Sequence, residues 1–90
     1  MTLLERIEEM YPDEPIVLAN GFEEAFIGVA TVFSKFIAVY DTMKCLDILV
    51  ERDGMTHLEA EEYFDFNVIG AYVGEHTPAF LYRFTDEEES

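Results

Sequence analysis

Apolar residues recur with helical spacing in three parts of the chain. The first part is residues 3–10, and Pro12 stops it, because a residue that precedes proline is driven out of helical geometry. The second part lies between Asp41 and Gly54 and presents a broad apolar face. The third runs from 57 to about 68. The pattern therefore predicts three amphipathic helices.

Between the first and second helices the pattern changes to that of extended chain. Residues 26–33 and 36–40 are apolar on both faces and contain β-branched residues, which favours two buried strands with a hairpin loop at 34–35. Further strands are predicted at 16–19 and at 78–84. Because two antiparallel helices separate the strand 36–40 from the last strand, we expect these two strands to run antiparallel.

Several residues have the types and positions of helix caps and of a tight turn. Two Thr-x-x-Glu sequences predict capping boxes, in which the hydroxyl and the carboxylate each accept a backbone N–H that the helix leaves free. A glycine can adopt the left-handed conformation that ends a helix, so residues 53–60 should close one helix and open the next. The residues assigned to the turn and caps are Thr2, Glu5, Asp41, Gly54, Thr56 and Glu59.

The predicted fold is α+β: a small antiparallel sheet of about three to four strands, with about three helices packed on one face. Residues 1–85 are assigned to a single domain and 86–90 to a solvated acidic tail. Residues 22–25 fit either a helix or extended chain. Half of the chain is apolar, with eight phenylalanines and five tyrosines, which argues against disorder.

The chain is strongly acidic, with 20 acidic residues against 5 basic ones and a net charge of −15. Without a basic patch, direct binding to nucleic acid or to an anionic membrane is excluded, and the candidate partners are basic protein surfaces or divalent cations. No apolar run reaches the ~20 residues of a membrane span, and no signal-peptide pattern is visible. The single cysteine, Cys45, excludes an internal disulfide. We therefore expect a cytoplasmic protein.

Four carboxylates are predicted on the outward side of the third helix: Glu59, Glu61, Glu62 and Asp65. They are the candidate acidic interaction face. Glu61 and Asp65, with His57 one turn earlier, also have a spacing that metal ligands use on helices. Such a stripe is far more often a solvated face, so we assign no metal and no cofactor.

Three other polar residues are candidates for chemistry. His76 lies in a loop without the nucleophile or second acid that general-base catalysis requires, so no catalytic residue is assigned and no enzymatic activity is expected. Asn67 is predicted on the inward side of its helix, where it would bond backbone or, alternatively, contact a ligand. A pocket lined by Asn67 and His76 would favour a ligand carrier or small enzyme. Cys45 lies on an apolar helix face and is predicted to be a buried, inert thiol.

Several stretches between about residues 20 and 81 resemble the corresponding stretches of a known protein family. They are GFEEA (21–25), IG (27–28), VYD (39–41), DGMT (53–56), EA (59–60), EYFDFNV (62–68), GAYVGE (70–75) and TP (77–78). Together they resemble a family of small uncharacterised proteins of bacteriophages and bacteria. The resemblance implies a phage-associated gene or a prophage remnant, and with it the cytoplasm of a bacterial host. It brings neither an activity nor catalytic residues.

We therefore expect a non-enzymatic, phage-type binding protein whose acidic surface engages a basic host protein. Spaced carboxylates can imitate phosphates, so a nucleic-acid-binding protein is the natural target of such a mimic or inhibitor. The alternative is an oligomeric structural or accessory protein whose acidity serves only solubility. The heavy aromatic content also predicts a homodimer or higher oligomer that uses a sheet face or edge including the last strand.

Overall fold

A computed structural model describes residues 2–71 and 74–84 and shows the predicted α+β fold class. In chain order the elements are α1 (Leu3–Met10), a short 3₁₀ helix (Glu23–Ala25), β1 (Phe26–Val32), β2 (Lys35–Asp41), α2 (Thr42–Asp53), α3 (His57–Phe64), a π-helical turn (Asp65–Ile69) and β3 (Ala79–Leu81). None of the described helices combines the length and the apolar character needed to cross a membrane. Tyr72 and the predicted acidic tail lie outside the described residues.

The helix ends follow the local sequence closely. In both capping boxes the threonine hydroxyl accepts from the backbone N–H three residues on, and the glutamate accepts from the N–H of the threonine. Hydrogen bonding to Thr2 also lowers the pKa of Glu5. Asp41 Oδ1 accepts from the Met43 N–H at 3.0 Å. Gly54 ends α2 with a φ of +70°, which a glycine adopts without steric strain.

The three strands form one mixed sheet in the order β1-β2-β3. β1 and β2 are an antiparallel hairpin whose pairing runs from Phe26↔Tyr40 to Val32↔Lys35, with a bulge between Phe26 and Gly28. The hairpin loop is Phe33–Ser34, one residue earlier than predicted. Both loop residues have positive φ, as in the type I′ turns that suit a two-residue hairpin.

The predicted antiparallel orientation of the last strand is wrong. β3 runs parallel to β2, with Val39 opposite Ala79 and Asp41 opposite Leu81. The reason is the long connection after α3, which carries the chain back to the beginning of β2 before it enters the sheet. His76 lies on this connection beside the beginning of β2, with its Nδ1 3.4 Å from the carbonyl oxygen of Phe36. β3 is also shorter than predicted.

The predicted strand at 16–19 is absent, because these residues pair with no strand of the described sheet. Ile16, Leu18 and Ala19 pack against the core instead. The Ala19 N–H donates to the Tyr40 hydroxyl at 2.8 Å, so a buried side chain takes the role of a strand partner. Residues 23–25, which the sequence left open, form the 3₁₀ helix.

The core lies between one face of the sheet and the helices. Tyr40 and Phe64 are fully buried at its centre, where both rings contact Phe80, with centroids 5.7 and 5.1 Å away. Phe64 also packs edge-on against Phe22. The other buried members of this cluster are Ala25, Ala38, Cys45, Leu46, Leu49 and Ala60. The helices therefore cover the sheet face that carries Ala38, Tyr40 and Phe80.

Candidate functional site

The outward side of α3 and of the π-helical turn combines acidic and large apolar side chains. Ala60 and Phe64 are the buried side of α3, so the rest of the helix surface faces solvent. Glu59, Glu61, Glu62 and Asp65 are all exposed. Leu58 is 65% exposed and Phe66 is 86% exposed among these carboxylates. We call these six residues the α3 acidic surface.

The four carboxylates differ in what they contact. Glu59 accepts the Thr56 N–H at 2.8 Å and so belongs to the cap. Glu61 Oε2 lies 3.8 Å from His57 Nε2. Glu62 and Asp65 have no ion-pair partner in the part of the chain that the structure describes, so both can meet a cation from outside.

The π-helical turn changes which side chains point inward. The Gly70 N–H donates to the Asp65 carbonyl oxygen at 3.2 Å, five residues back, so the turn is wider than that of an α-helix. Asn67 is exposed as a result, and its Nδ2 donates to the Tyr63 carbonyl oxygen at 3.2 Å. The prediction that Asn67 lies inward is therefore wrong, and Val68 packs against the core in its place.

The structure does not bring Asn67 and His76 together in one pocket. Asn67 lines an open depression of about 290 Å³ with Asn20, Tyr63 and an apolar floor that includes Phe22. His76 is not among the residues that line it, because its ring lies against β2. The depression is at the lower limit of ligand-sized pockets, which start at about 300 Å³.

A second acidic region, which the sequence reasoning missed, lies between the 3₁₀ helix and α2. Glu24 and Glu51 line two adjoining depressions of about 290 and 210 Å³. Glu23 also lines the first depression, and Asp47 also lines the second. The i, i+4 spacing of Asp47 and Glu51 on α2 was a visible signal. The approach of the 3₁₀ helix was not visible, because it depends on the tertiary fold.

Two cations line this second region, and among the described residues neither forms an ion pair with its four carboxylates. Lys44 lines one depression and Arg52 lines the other. Arg52 donates to the Gly21 carbonyl oxygen at 2.7 Å and pairs with Asp53 at 3.0 Å. The hydrogen bond from Arg52 holds the pKa of Asp53 below its ordinary value. The α3 acidic surface differs from this region in exposing two large apolar side chains, Leu58 and Phe66, beside its carboxylates.

The described residues contain no group of three His, Cys, Asp or Glu side chains placed to hold a metal ion. His57, Glu61 and Asp65, which have metal-ligand spacing in the sequence, do not form such a group. Only the first two of them form a pair.

Cys45 is fully buried, and burial raises the pKa of its thiol to about 12, with a smaller contribution from the charge of Asp41. Because the thiolate is the reactive form, we expect the folded protein to resist alkylation at about pH 8. The unfolded protein should react fully. Rapid stoichiometric labelling of the native protein would contradict the buried position.

The raised pKa of Cys45 also makes the free energy of unfolding depend on pH in the alkaline range. The folded state holds the Cys45 proton at pH values where an ordinary thiol, with a pKa of 9.0, has lost it. The free energy of unfolding is therefore unaffected by this group below the ordinary pKa and falls as the pH rises from there toward the folded value. A Cys45→Ala variant should lose less stability over this interval than the wild type, as measured by urea unfolding.

Comparison of the chain with protein-family models, with curated proteins and with solved structures finds no match. The resemblance to small phage and bacterial proteins stays a prediction. The residues and their surroundings are the basis for assigning a function.

Proposed function

We propose that this protein is a non-enzymatic binding protein that engages a basic segment of a partner protein through the α3 acidic surface. The observation that supports this most directly is the exposure of Leu58 and Phe66 beside the unpaired carboxylates of Glu62 and Asp65. Surface acidity for solubility alone requires no exposed phenylalanine, and large exposed apolar groups rimmed by polar ones are typical of interaction sites.

The spacing of these side chains suits a helical partner. Leu58, Glu62 and Phe66 are four residues apart and follow one line along the helix, which the π-helical turn extends. A leucine and a phenylalanine on such a line can form the desolvated centre of an interface, and the carboxylates beside them can pair with lysine or arginine at its rim. A basic amphipathic helix has the complementary pattern.

Nucleic-acid-binding proteins present such segments, because they neutralise phosphates with clustered lysine and arginine. Carboxylates at the positions of phosphates would compete for the same cations. Together with the resemblance to phage proteins, this supports a host nucleic-acid-binding protein as the partner and its inhibition as the role.

Fluorescence titration with a synthetic Lys/Leu amphipathic helix tests the surface. We expect binding that weakens as salt rises, and a loss of about tenfold in affinity for Phe66→Ala, which corresponds to about 1.4 kcal/mol. Replacing both unpaired carboxylates, in Glu62→Gln/Asp65→Asn, should reduce the salt dependence. The matched control is Met10→Ala, because Met10 is an exposed apolar residue on α1. Equal losses in Phe66→Ala and Met10→Ala, or no change in either, would contradict the proposal.

The partner class requires a separate experiment. Wild-type protein and the Phe66→Ala variant are used as baits in bacterial lysate at low and at high salt. A nucleic-acid-binding protein that the wild type retains at low salt, and that either high salt or the substitution releases, supports the proposed class. Retention that neither salt nor the substitution affects would argue that acidity serves solubility alone.

A further inference from the structure

The sheet has a second face that the described helices leave uncovered. Side chains alternate along a strand, and Phe26, Tyr40 and Phe80 point to the core. On the opposite face the side chains of β1, β2 and β3 are mainly apolar; Val32 and Leu81 there are 42% and 44% exposed, and the other apolar side chains are partly buried. We call it the open sheet face, and it consists of Ala30, Val32, Ile37, Val39, Ala79 and Leu81. None of these six residues belongs to the buried core.

This face differs from the rest of the surface in charge. Asp41 is the only acidic residue within the described strands. At the rim, Arg83 pairs with Asp41 at 2.8 Å and Lys35 pairs with Glu75 at 3.3 Å, so the rim charges cancel. The open sheet face is therefore apolar and neutral on a chain of net charge −15.

An exposed phenylalanine stands at the end of this face. Phe33, at the hairpin tip next to Val32, is 93% exposed and has a φ of +47°. A bulky residue is unfavourable in that conformation. Within one protomer the Phe33 ring buries almost nothing, so no local packing compensates for its exposure or for the backbone conformation.

We infer that a second copy of this chain docks on the open sheet face, which gives a symmetric face-to-face dimer with the acidic helices turned outward. The distribution of charge favours a second copy of the chain as the partner on this face. Two copies of a −15 chain repel each other through their helical surfaces, whereas two neutral apolar faces can associate. A basic partner is attracted to the carboxylates on the helices and gains no ion pair on the sheet. A self-complementary patch is what a twofold interface requires.

The size of the face indicates how tight this dimer is. The two seven-residue strands and the three-residue β3, at ~3.3 Å per residue and ~4.8 Å between strands, cover roughly 270 Å². The Phe33 ring adds up to about 200 Å². The total is below the roughly 800 Å² per partner of a standard stable interface, so a weak, concentration-dependent dimer is expected.

Sedimentation equilibrium of the full chain from low micromolar to high micromolar concentration, at about 50 mM and about 500 mM salt, tests the inference. We expect a monomer–dimer equilibrium that higher salt strengthens, because salt screens the repulsion between the copies. Binding of a basic partner responds to salt in the opposite direction, so failure of one proposal is distinguishable from failure of the other. A monomer at every concentration and salt overturns the dimer and leaves the α3 acidic surface untouched.

Substitutions identify the face. Val32→Lys and Leu81→Lys change exposed positions and should weaken self-association by about tenfold or more, because an ammonium must be desolvated in the interface. Leu58→Lys, on α3, is the matched control and should not weaken it. Each lysine reduces the net negative charge, so general electrostatics alone would strengthen association in all three variants. Circular dichroism checks that each is folded. Equal weakening in Leu58→Lys and Leu81→Lys would overturn the assignment.

Discussion

Replacing Phe64 with alanine is expected to lower the free energy of unfolding by about 3–5 kcal/mol. The Phe64 ring is fully buried and packs edge-on against Phe22 before the 3₁₀ helix and against Phe80 of β3. It therefore joins α3 to two segments that are distant in sequence, and alanine leaves a cavity among them. Domains of this size have a total stability near the lower end of about 5–15 kcal/mol, so the variant should be close to unfolding.

Phe66→Ala is the matched control, two positions along the chain. Because Phe66 is exposed, its removal should change stability by no more than about 0.5 kcal/mol. Urea unfolding followed by circular dichroism measures both variants. The two substitutions should separate folding from binding, since Phe64→Ala affects stability and Phe66→Ala affects binding of the basic peptide. Similar stability losses in both variants would show that the buried and exposed sides of this helix are wrongly assigned.

The second large effect is expected at Asp41, where β2 passes into α2 without a loop. Its Oδ1 accepts the Met43 N–H at 3.0 Å and its Oδ2 accepts from Arg83 Nε at 2.8 Å. The Asp41 side chain is buried, whereas that of Arg83 is more than half exposed. Asp41→Ala removes the N-cap of the 12-residue helix and the link to the segment after β3, and we expect a loss of about 2 kcal/mol.

Two further variants separate the contributions of the helix cap and of the Arg83 pair to this loss of stability. Asp41→Asn keeps an oxygen acceptor for the cap, and Arg83→Ala removes only the partly solvated pair, so each should cost less than half as much as Asp41→Ala. Thermal and urea unfolding of the three variants provide the comparison. A loss in Asp41→Asn equal to that in Asp41→Ala would contradict the dominant role of the cap.

The acidic surface shows how far sequence reasoning reaches at a candidate site. The outward position of Glu59, Glu61, Glu62 and Asp65 followed from helical periodicity. The exposure of Phe66 beside them agrees with the same periodicity, because Phe66 lies two residues, or about 200°, from the buried Phe64, but the π-helical turn that begins at Asp65 departs from it. That turn also placed Asn67 in solvent. Periodicity assumes a constant residue count per turn, and this part of the chain does not keep it.

The local features of this protein were determined by the sequence itself. The capping boxes at Thr2 and Thr56, the N-cap at Asp41 and the helix end at Gly54 depend on residues two to four positions apart. Their geometry therefore needs no information about distant parts of the chain. The bounds of α1 and the existence of the β1–β2 hairpin follow for the same reason.

The tertiary structure decided whatever depends on contacts between distant residues. It set the parallel direction of β3, because that depends on the path of the chain past Phe36. It also determined the hydrogen bond from the 16–19 segment to the Tyr40 hydroxyl and the position of Glu23 and Glu24 beside α2. It also left one sheet face free of helices and of net charge. The hydrophobic pattern indicates which residues favour burial. The packing of the whole chain determines which surfaces contact each other.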